Sequence, residues 1–336
     1  MGMLSRPRVN AHYTSTEINR WLIWLAAKMQ GHSQAIFYLE DLSPTWLTTD
    51  KQRQAWESTV VISITLLSGP SIGLGVDLGI MLGVDLGVDL GGDSFLDPGG
   101  KLVLDPGGRL LVELVRGLIG GMGFGMLLGI GFGLGDKDRD TMKPVEGFAW
   151  SWVTVLERLR SRVMLGLTLW LGIWLGVGQF GGLIGGLVLG LIGVLGGVVY
   201  DGLQGKSDNV ESRLTPNHGV WKSARNAPIG GLIGGLFGGM GGGLSGGLVS
   251  GLIGGLVGGL GFGLVGGLLG ALHYGGYVCI RHAVLRLFLW RKGYIPLNYV
   301  CFLDEAADRI LLRKVGGGYT FIHRMLLDYF ASQYNA

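Results

Sequence analysis

Apolar and polar residues separate along this chain into long blocks. The longest apolar block, residues 228–272, contains no ionisable residue. An uncharged apolar run of about 18 residues already indicates a transmembrane helix, and this block is more than twice as long. We therefore predict that it lies in a membrane. A flexible glycine linker is the alternative, but such linkers are rich in Ser, whereas Leu, Ile and Val separate the glycines here.

The glycines of this block occur mostly as adjacent pairs that repeat every four residues. This spacing places them on one face of a helix. In lipid, a stripe of small residues lets two helix backbones approach closely and pack by van der Waals contact. The pattern therefore predicts glycine-zipper helices, and it assigns six residues to helix packing: Gly230, Gly234, Gly238, Gly254, Gly258 and Gly266.

Three further segments are apolar, residues 59–92, 118–134 and 163–200. At 1.5 Å per residue, one helix over residues 163–200 or 228–272 would be roughly twice the ~30 Å thickness of the hydrocarbon core. Each of these two blocks is therefore predicted to form a helical hairpin. The turns are expected near 178–181 and near 241–243, where glycines cluster.

A four-residue repeat within the first apolar block places four aspartates in register. On a helix they would form one acidic ridge, composed of Asp77, Asp85, Asp89 and Asp93. Such a ridge could line a path for cations. The alternative is that this part lies at or beyond the membrane interface. The second interpretation is favoured, because an Asp at the centre of a membrane helix costs about 2.5–3.5 kcal/mol.

Three hairpins with six crossings would leave nearly all Lys and Arg on one side of the membrane. The positive-inside rule then predicts an integral protein of the inner or plasma membrane with both termini in the cytoplasm. The predicted division of the chain is a soluble helical segment 1–58, a membrane hairpin with a DPGG loop 59–134, a soluble connector 135–162, a second hairpin 163–200, a soluble loop 201–227, a third hairpin 228–280 and a C-terminal subdomain 281–336.

The soluble ends carry shorter signals. Thr14 or Ser15 with Glu17 predicts the start of a helix that Gly31 ends, and residues 35–42 form a β-like run. In the tail, the order helix (from Asp304, over residues 304–314), glycine turn, strand and helix is compatible with a winged-helix subdomain. The predicted fold class is therefore mainly α, a polytopic helical membrane protein of glycine-zipper hairpins with small soluble winged-helix-like pieces.

Composition supports the membrane class and limits the chemistry. Of 336 residues, 15% are charged, against about 25% in a usual soluble domain. The net charge of +3 and the lack of a basic stripe predict no nucleic-acid partner. The Gly205-Lys206-Ser207 string lacks the upstream glycine of a P-loop, since Tyr200 stands there. No enzymatic activity and no cofactor are predicted.

Four potential ligands for a metal lie near the end of the third hairpin, namely His273, Cys279, His282 and Cys301. Two His and two Cys can bind zinc, but their spacing matches no common ligand pattern. No metal site is therefore predicted.

The tail string FIHRMLLDYFA, residues 321–331, resembles the F-x-H-x-x-x-x-E-Y-F-A motif that ends the NTPase core of NACHT-type STAND proteins. Residues 21–47, 213–227 and 302–331 are similar to segments of bacterial NACHT proteins that carry Gly-rich membrane insertions. The resemblance implies the C-terminal, membrane-associated half of such a protein, without its P-loop ATPase module. It also implies that His323 is the position that senses nucleotide, while Asp328 stands where the family prefers Glu.

The function expected from these features is that of a membrane-anchoring and signalling module of a NACHT-like NTPase, with an effector role in bacterial defence. Its partners would be the lipid bilayer, a NACHT ATPase module in cis or in trans, and a second copy of the chain. The alternative function is a stand-alone channel or transporter of small-residue helices, with the four aspartates as its ion path.

Overall fold

The computed structural model describes residues 13–85, 115, 118–123, 125–127, 129–130, 147–177, 179–206 and 217–334. The chain is mainly helical, as the sequence predicts. The α-helices are α1 (Ser15–Gly31), α2 (Asp50–Asp85), α3 (Leu118–Leu127), α4 (Trp152–Val177), α5 (Gln179–Gly202), α6 (His218–Ala271), α7 (Tyr277–Arg291), α8 (Tyr299–Asp308) and α9 (Arg324–Ser332). The strands are β1 (Gly147–Trp150), β2 (Leu203–Lys206), β3 (Leu312–Val315) and β4 (Gly318–Phe321).

Helix α1 begins where the capping signal predicts. Thr14 is the N-cap, and its hydroxyl accepts a hydrogen bond from the backbone N–H of Glu17 at 3.3 Å. The Glu17 carboxylate in turn accepts from the backbone N–H of Thr14 at 2.9 Å. This reciprocal pair is a capping box, which satisfies backbone donors that the first helical turn leaves free.

The two ends of the described chain form one hydrophobic core. Side chains of α1 pack with those of α7, α8, α9 and the start of α2. Trp21 meets Phe302 edge to face at 5.2 Å, and Trp24 stacks on Tyr294 at 5.7 Å. Residues 13–64 and 284–331 thus contribute to a single packed body, which we call the terminal domain.

Two predicted elements of the terminal domain are corrected. Within the run 35–42, Phe37 alone pairs as a strand residue, through an isolated bridge to Tyr319, and a 3₁₀ turn follows at Leu39–Asp41. The helix predicted over 304–314 ends at Asp308. Ile310 has a left-handed backbone with φ of +61°, which ends the helix, and residues 312–315 pair with β4 as an antiparallel hairpin instead.

Helices α4 and α5 form an antiparallel hairpin with a small sheet at its base. Helix α4 ends at Val177 and α5 begins at Gln179, at the start of the turn predicted near 178–181. Strands β1 and β2 pair antiparallel, with Trp150 opposite Leu203. Because β1 enters α4 and β2 leaves α5, this sheet closes the open end of the hairpin.

Helix α6 consists of two antiparallel arms that meet at Gly251. The backbone of Gly251 is left-handed, with φ of +72°, which glycine adopts without a steric penalty. The turn predicted near 241–243 is therefore wrong by about two helical turns. Residues 241–243 continue the glycine rows of the first arm, and the backbone reverses only at the left-handed position.

The second arm continues through a kink into α7. At Leu272–Gly276 the helix widens to a π-helical turn, and Gly275 has a φ of +132°. A Cβ atom at Gly275 would lie 2.9 Å from the carbonyl carbon of Ser223 on the first arm. Only glycine fits here, and the close approach brings α7 from the bundle into the terminal domain.

Within the described residues, three helical segments are long and apolar enough to cross a membrane, Ile184–Gly202, His218–Leu248 and Gly251–Arg291. Helix α3 is a shorter apolar helix that packs against α2, where a Cβ at Gly125 would lie 2.7 Å from the Ser68 hydroxyl. The predicted domain boundaries after residues 58, 162, 200, 227 and 280 all fall inside helices. Continuous helices therefore connect the apolar bundle to the terminal domain.

Candidate functional site

The two arms of α6 contact each other through glycine. A Cβ atom placed on Gly234 would lie 2.8 Å from the carbonyl carbon of Gly266, and one on Gly246 would lie 2.7 Å from that of Gly254. No side chain fits at such distances without a shift of the backbone. The six residues that the glycine spacing assigns to helix packing all lie along this contact, Gly230, Gly234, Gly238, Gly254, Gly258 and Gly266.

The second glycine of each pair is less tightly packed. A Cβ at Gly235 would lie 3.4 Å from the carbonyl oxygen of Gly263, and one at Gly247 would lie 3.7 Å from the Cα of Gly255. These are ordinary van der Waals separations. Each Gly-Gly pair therefore contributes one residue to a tight row and one to a looser row beside it.

The outward face of the α6 arms carries large apolar side chains. Every fourth residue from 232 to 264 is Leu or Met, and all nine are exposed, from 42% at Leu264 to 82% at Leu252. A soluble protein places such side chains inside, because burying apolar surface is worth about 25 cal/mol per Å². Here the small residues are inside and the large ones outside, which suits a helix surrounded by lipid.

The α4–α5 hairpin packs in the same way and lies beside α6. A Cβ at Gly190 would lie 2.6 Å from the carbonyl oxygen of Gly166. Where α5 approaches the first arm of α6, a Cβ at Gly196 would lie 3.2 Å from Phe237. Between the two helices remains an open groove of about 520 Å³, lined mainly by glycines and by Ile192, Ile233, Phe237, Phe262 and Leu269.

A buried ion pair lies at one end of this groove. Asp201, at the end of α5, has a side chain that is 1% exposed. It accepts hydrogen bonds from Arg162 Nε at 2.7 Å and Nη2 at 2.9 Å, and from Arg158 Nη1 at 3.1 Å. The Arg162 guanidinium also lies 5.5 Å above the ring centre of Tyr200. We call Arg158, Arg162 and Asp201 the arginine–aspartate cluster.

A second set of polar contacts joins the terminal domain to the bundle. The buried carboxylate of Glu40 accepts a hydrogen bond from the backbone N–H of Gly219, in the first turn of α6, at 3.0 Å. Arg286 on α7 donates to the side chain of Asn217, the N-cap of α6. Arg281 lies over the Trp56 ring at 5.2 Å. These contacts fix the start of α6 relative to α2 and α7.

The predicted acidic ridge is only partly within the described residues. Asp77 and Asp85 lie in the last third of α2, while Asp89 and Asp93 lie outside the described residues. The ion path therefore remains a hypothesis that rests on the sequence pattern alone.

The predicted nucleotide-sensing residue lies on the surface. His323 is exposed and is the N-cap of α9, with no capping hydrogen bond from its side chain. Asp328, five residues later, accepts a hydrogen bond from Gln30 Nε2 of α1 at 3.1 Å. Asp328 thus helps to attach α9 to α1 in the terminal domain.

The four residues considered as zinc ligands are not brought together as a site. Among the residues that the structure describes, no group of three or more His, Cys, Asp or Glu side chains could hold a metal ion. His273 instead lies against the Tyr200 ring, with ring centres 4.1 Å apart.

Sequence patterns alone did not identify the arginine–aspartate cluster or Glu40. A signal for the cluster was present, because Arg158 and Arg162 are four residues apart directly before one apolar block and Asp201 directly follows it. Such positions meet when the block folds into a hairpin. Glu40 carried no comparable signal.

No family model, no curated protein and no solved structure matches this chain.

Proposed function

We propose that this chain is a membrane-anchoring and signalling module, in which glycine-zipper hairpins hold the terminal domain at the cytoplasmic surface. The observation that carries the proposal is the inverted packing of α6, with glycines inside and leucines outside. In water this surface would be an extended apolar patch of the kind that marks contact with a membrane or a partner. In lipid it is the ordinary outer surface of a helix bundle.

The connection between the helix bundle and the terminal domain supports a role in transmitting conformational change. Glu40 and Arg286 both bind the first residues of α6, and α7 leaves the bundle directly into the domain core. A displacement of the terminal domain would therefore act on both arms of α6. We propose that this connection passes conformational change between a cytoplasmic partner and the bundle.

The cytoplasmic partner that we propose is a NACHT-type ATPase module, in cis or in trans, acting in bacterial defence. This part rests on the resemblance of residues 21–47, 213–227 and 302–331 to segments of bacterial NACHT proteins. The order of α8, the β3–β4 hairpin and α9 is compatible with the winged-helix subdomain that the order of elements in the tail sequence suggests. A second copy of the chain would meet the outward leucine face, because the tight glycine rows of α6 are already paired within the chain.

Membrane insertion can be tested by extraction of isolated membranes at alkaline pH. We expect the protein to stay in the membrane pellet and to dissolve only in detergent. Release into the alkaline supernatant would refute an integral membrane protein.

Topology can be tested with reporter fusions at positions 101, 150, 215 and 336. The six-crossing arrangement expects positions 150, 215 and 336 in the cytoplasm and position 101 on the opposite side. Positions 150 and 215 on opposite sides would refute it. The pairing of β1 with β2 supports a common side for the two ends of the α4–α5 hairpin.

The ATPase partner can be tested by genomic sequence and by purification. We expect a reading frame with a P-loop upstream of, or adjacent to, the one that encodes this chain, and its product should co-purify with this protein in detergent. A chain purified without such a product, from a genome that encodes none nearby, would refute this part and leave the membrane anchor standing.

A further inference from the structure

The groove between α5 and α6 has a polar end and an apolar length, and both features point to its occupant. Its polar end is formed by Arg162, Tyr200 and Tyr274, and its volume of about 520 Å³ is within the range of small-molecule sites. From Tyr200 to Ile192 it follows α5 for about 12 Å at 1.5 Å per residue. This length is most of one leaflet of a hydrocarbon core that is about 30 Å thick.

The polar end lies at the level where the apolar blocks begin and end. Arg162 directly precedes the apolar block 163–200, and Asp201 directly follows it. The start of the first α6 arm, near Gly230, and the π-helical turn after the second arm, at Tyr274, reach the same level, since the Tyr274 hydroxyl donates to the carbonyl oxygen of Tyr200 at 3.1 Å. The groove therefore opens at the boundary between lipid tails and headgroups and continues toward the middle of the membrane.

Within the part of the chain that the structure describes, the charges of the arginine–aspartate cluster do not cancel. Two guanidinium groups, of Arg158 and Arg162, surround the single carboxylate of Asp201. Arg162 makes a two-point contact with that carboxylate, whereas Arg158 makes one hydrogen bond and its side chain is 57% exposed. A guanidinium has five N–H donors, so Arg158 can bind a further anion without releasing Asp201.

We propose that the groove binds an anionic phospholipid of the bilayer, with one acyl chain against the glycines of α5 and α6 and the phosphate at Arg158. This inference rests on the proposed membrane function. An apolar helix from a second copy would fill the groove but would leave the net positive charge of the arginine–aspartate cluster unpaired. A neutral lipid would also leave it unpaired. Basic pockets between membrane helices on the cytoplasmic side are known to bind anionic headgroups.

The test measures lipid binding to the whole protein, purified in a neutral detergent, by native mass spectrometry with phosphatidylglycerol and phosphatidylcholine. We expect a preference for phosphatidylglycerol. Arg158→Gln should lower that preference about fivefold, the factor expected for one cation near an anionic headgroup. Arg160→Gln is the matched control, because Arg160 is exposed on the same helix and does not contact Asp201; it should leave the preference unchanged.

A second pair of variants tests whether lipid occupies the apolar part of the groove. Ile233 lines the groove, so Ile233→Trp should fill it and reduce the binding of both lipids. Leu232, the neighbouring residue, faces outward, and Leu232→Trp should have no effect. Equal binding of the two lipids, or equal effects within either pair of variants, would overturn the proposal. A protein that resists alkaline extraction but shows no lipid preference refutes this inference alone, whereas one that is extracted refutes the membrane function.

Discussion

The guanidinium of Arg162 holds both carboxylate oxygens of Asp201, at 2.7 and 2.9 Å, between the two helices of the α4–α5 hairpin. The carboxylate is buried, so the pair replaces hydration that Asp201 has lost. A buried charge that loses its partner is strongly destabilising. The pair therefore fixes the register of α4 against α5 at the boundary of the apolar block.

Asp201→Ala should reduce the stability of the bundle, because it leaves two guanidinium groups facing each other without their carboxylate. Breaking a buried pair costs about 3–5 kcal/mol, and the partial exposure of the arginines places the expected loss near the lower end. Thermal unfolding in detergent measures the effect. Glu157→Ala, at an exposed position of α4, is the control and should leave the melting temperature unchanged.

Neighbouring glycines of one pair should respond differently to alanine. Gly234→Ala should separate the α6 arms, because its Cβ would lie 2.8 Å from the Gly266 carbonyl carbon. Gly235→Ala meets its nearest atom at 3.4 Å and should be neutral or stabilising, since alanine is favoured over glycine in a helix by about 1 kcal/mol. Unfolding of the two variants in detergent distinguishes them, and equal stabilities would contradict the observed arm-to-arm packing.

The stability of the turn at Gly251 should depend on how readily residue 251 adopts a left-handed backbone and not on the size of its side chain. No atom outside its immediate neighbours lies within 4 Å of a Cβ at this position, but φ is +72°. A left-handed conformation costs an ordinary residue about 1–2 kcal/mol, and asparagine adopts it more readily. Gly251→Val should therefore destabilise the hairpin more than Gly251→Asn, measured again by unfolding. Asparagine as damaging as valine would place the turn elsewhere.

The capping box of α1 should respond to acid. Hydrogen bonds from the backbone N–H and the hydroxyl of Thr14 hold the pKa of Glu17 below its ordinary value of 4.5. A lowered pKa in the folded state means that Glu17 stabilises the fold above pH 4.5 and loses this contribution as the pH falls through the folded-state value.

Glu17→Gln keeps an acceptor but cannot titrate. The difference in stability between the native protein and this variant should therefore shrink as the pH falls below 4.5, in unfolding followed from pH 7 downward. Thr14→Ala, which removes the other half of the box, should cost about 1 kcal/mol. A difference that grows with acidity would contradict the assigned hydrogen bonds.

The contact between Glu40 and Gly219 should hold the first turn of α6. Glu40→Ala removes the acceptor and leaves a buried N–H unsatisfied, which costs about 1–3 kcal/mol. Hydrogen exchange at the amide of Gly219 should become faster by about one order of magnitude or more. Glu57→Ala, on α2 and 41% exposed, should leave it unchanged. Unchanged exchange in Glu40→Ala would show that the junction does not depend on this contact.

Local signals predicted the fold where one residue type decides the backbone. Thr14 and Glu17 located α1, and Gly178 to Gly181 located the break between α4 and α5. Strand β3 was missed because residues 309–315 look helical by themselves, whereas the strand after the glycine turn was predicted and is observed as β4. Strand β4 also bridges through Tyr319 to Phe37, nearly 300 residues away, a contact that no local pattern reveals. The arginine–aspartate cluster was missed because it requires the hairpin to be folded first.

The sequence does not predict the position of the α6 turn, because several alignments of the two arms place glycine against glycine. Facing glycines in the tight row have numbers that add up to the same value, as for Gly234 with Gly266 and Gly246 with Gly254. Because the sequence repeats every four residues, sliding one arm by one repeat would again place glycine against glycine. Few residues other than Phe237, Phe262 and the left-handed Gly251 distinguish one alignment from the next. The two arms of α6 therefore have several nearly equivalent alignments, and a slide by four residues would shift one arm along the other by about 6 Å.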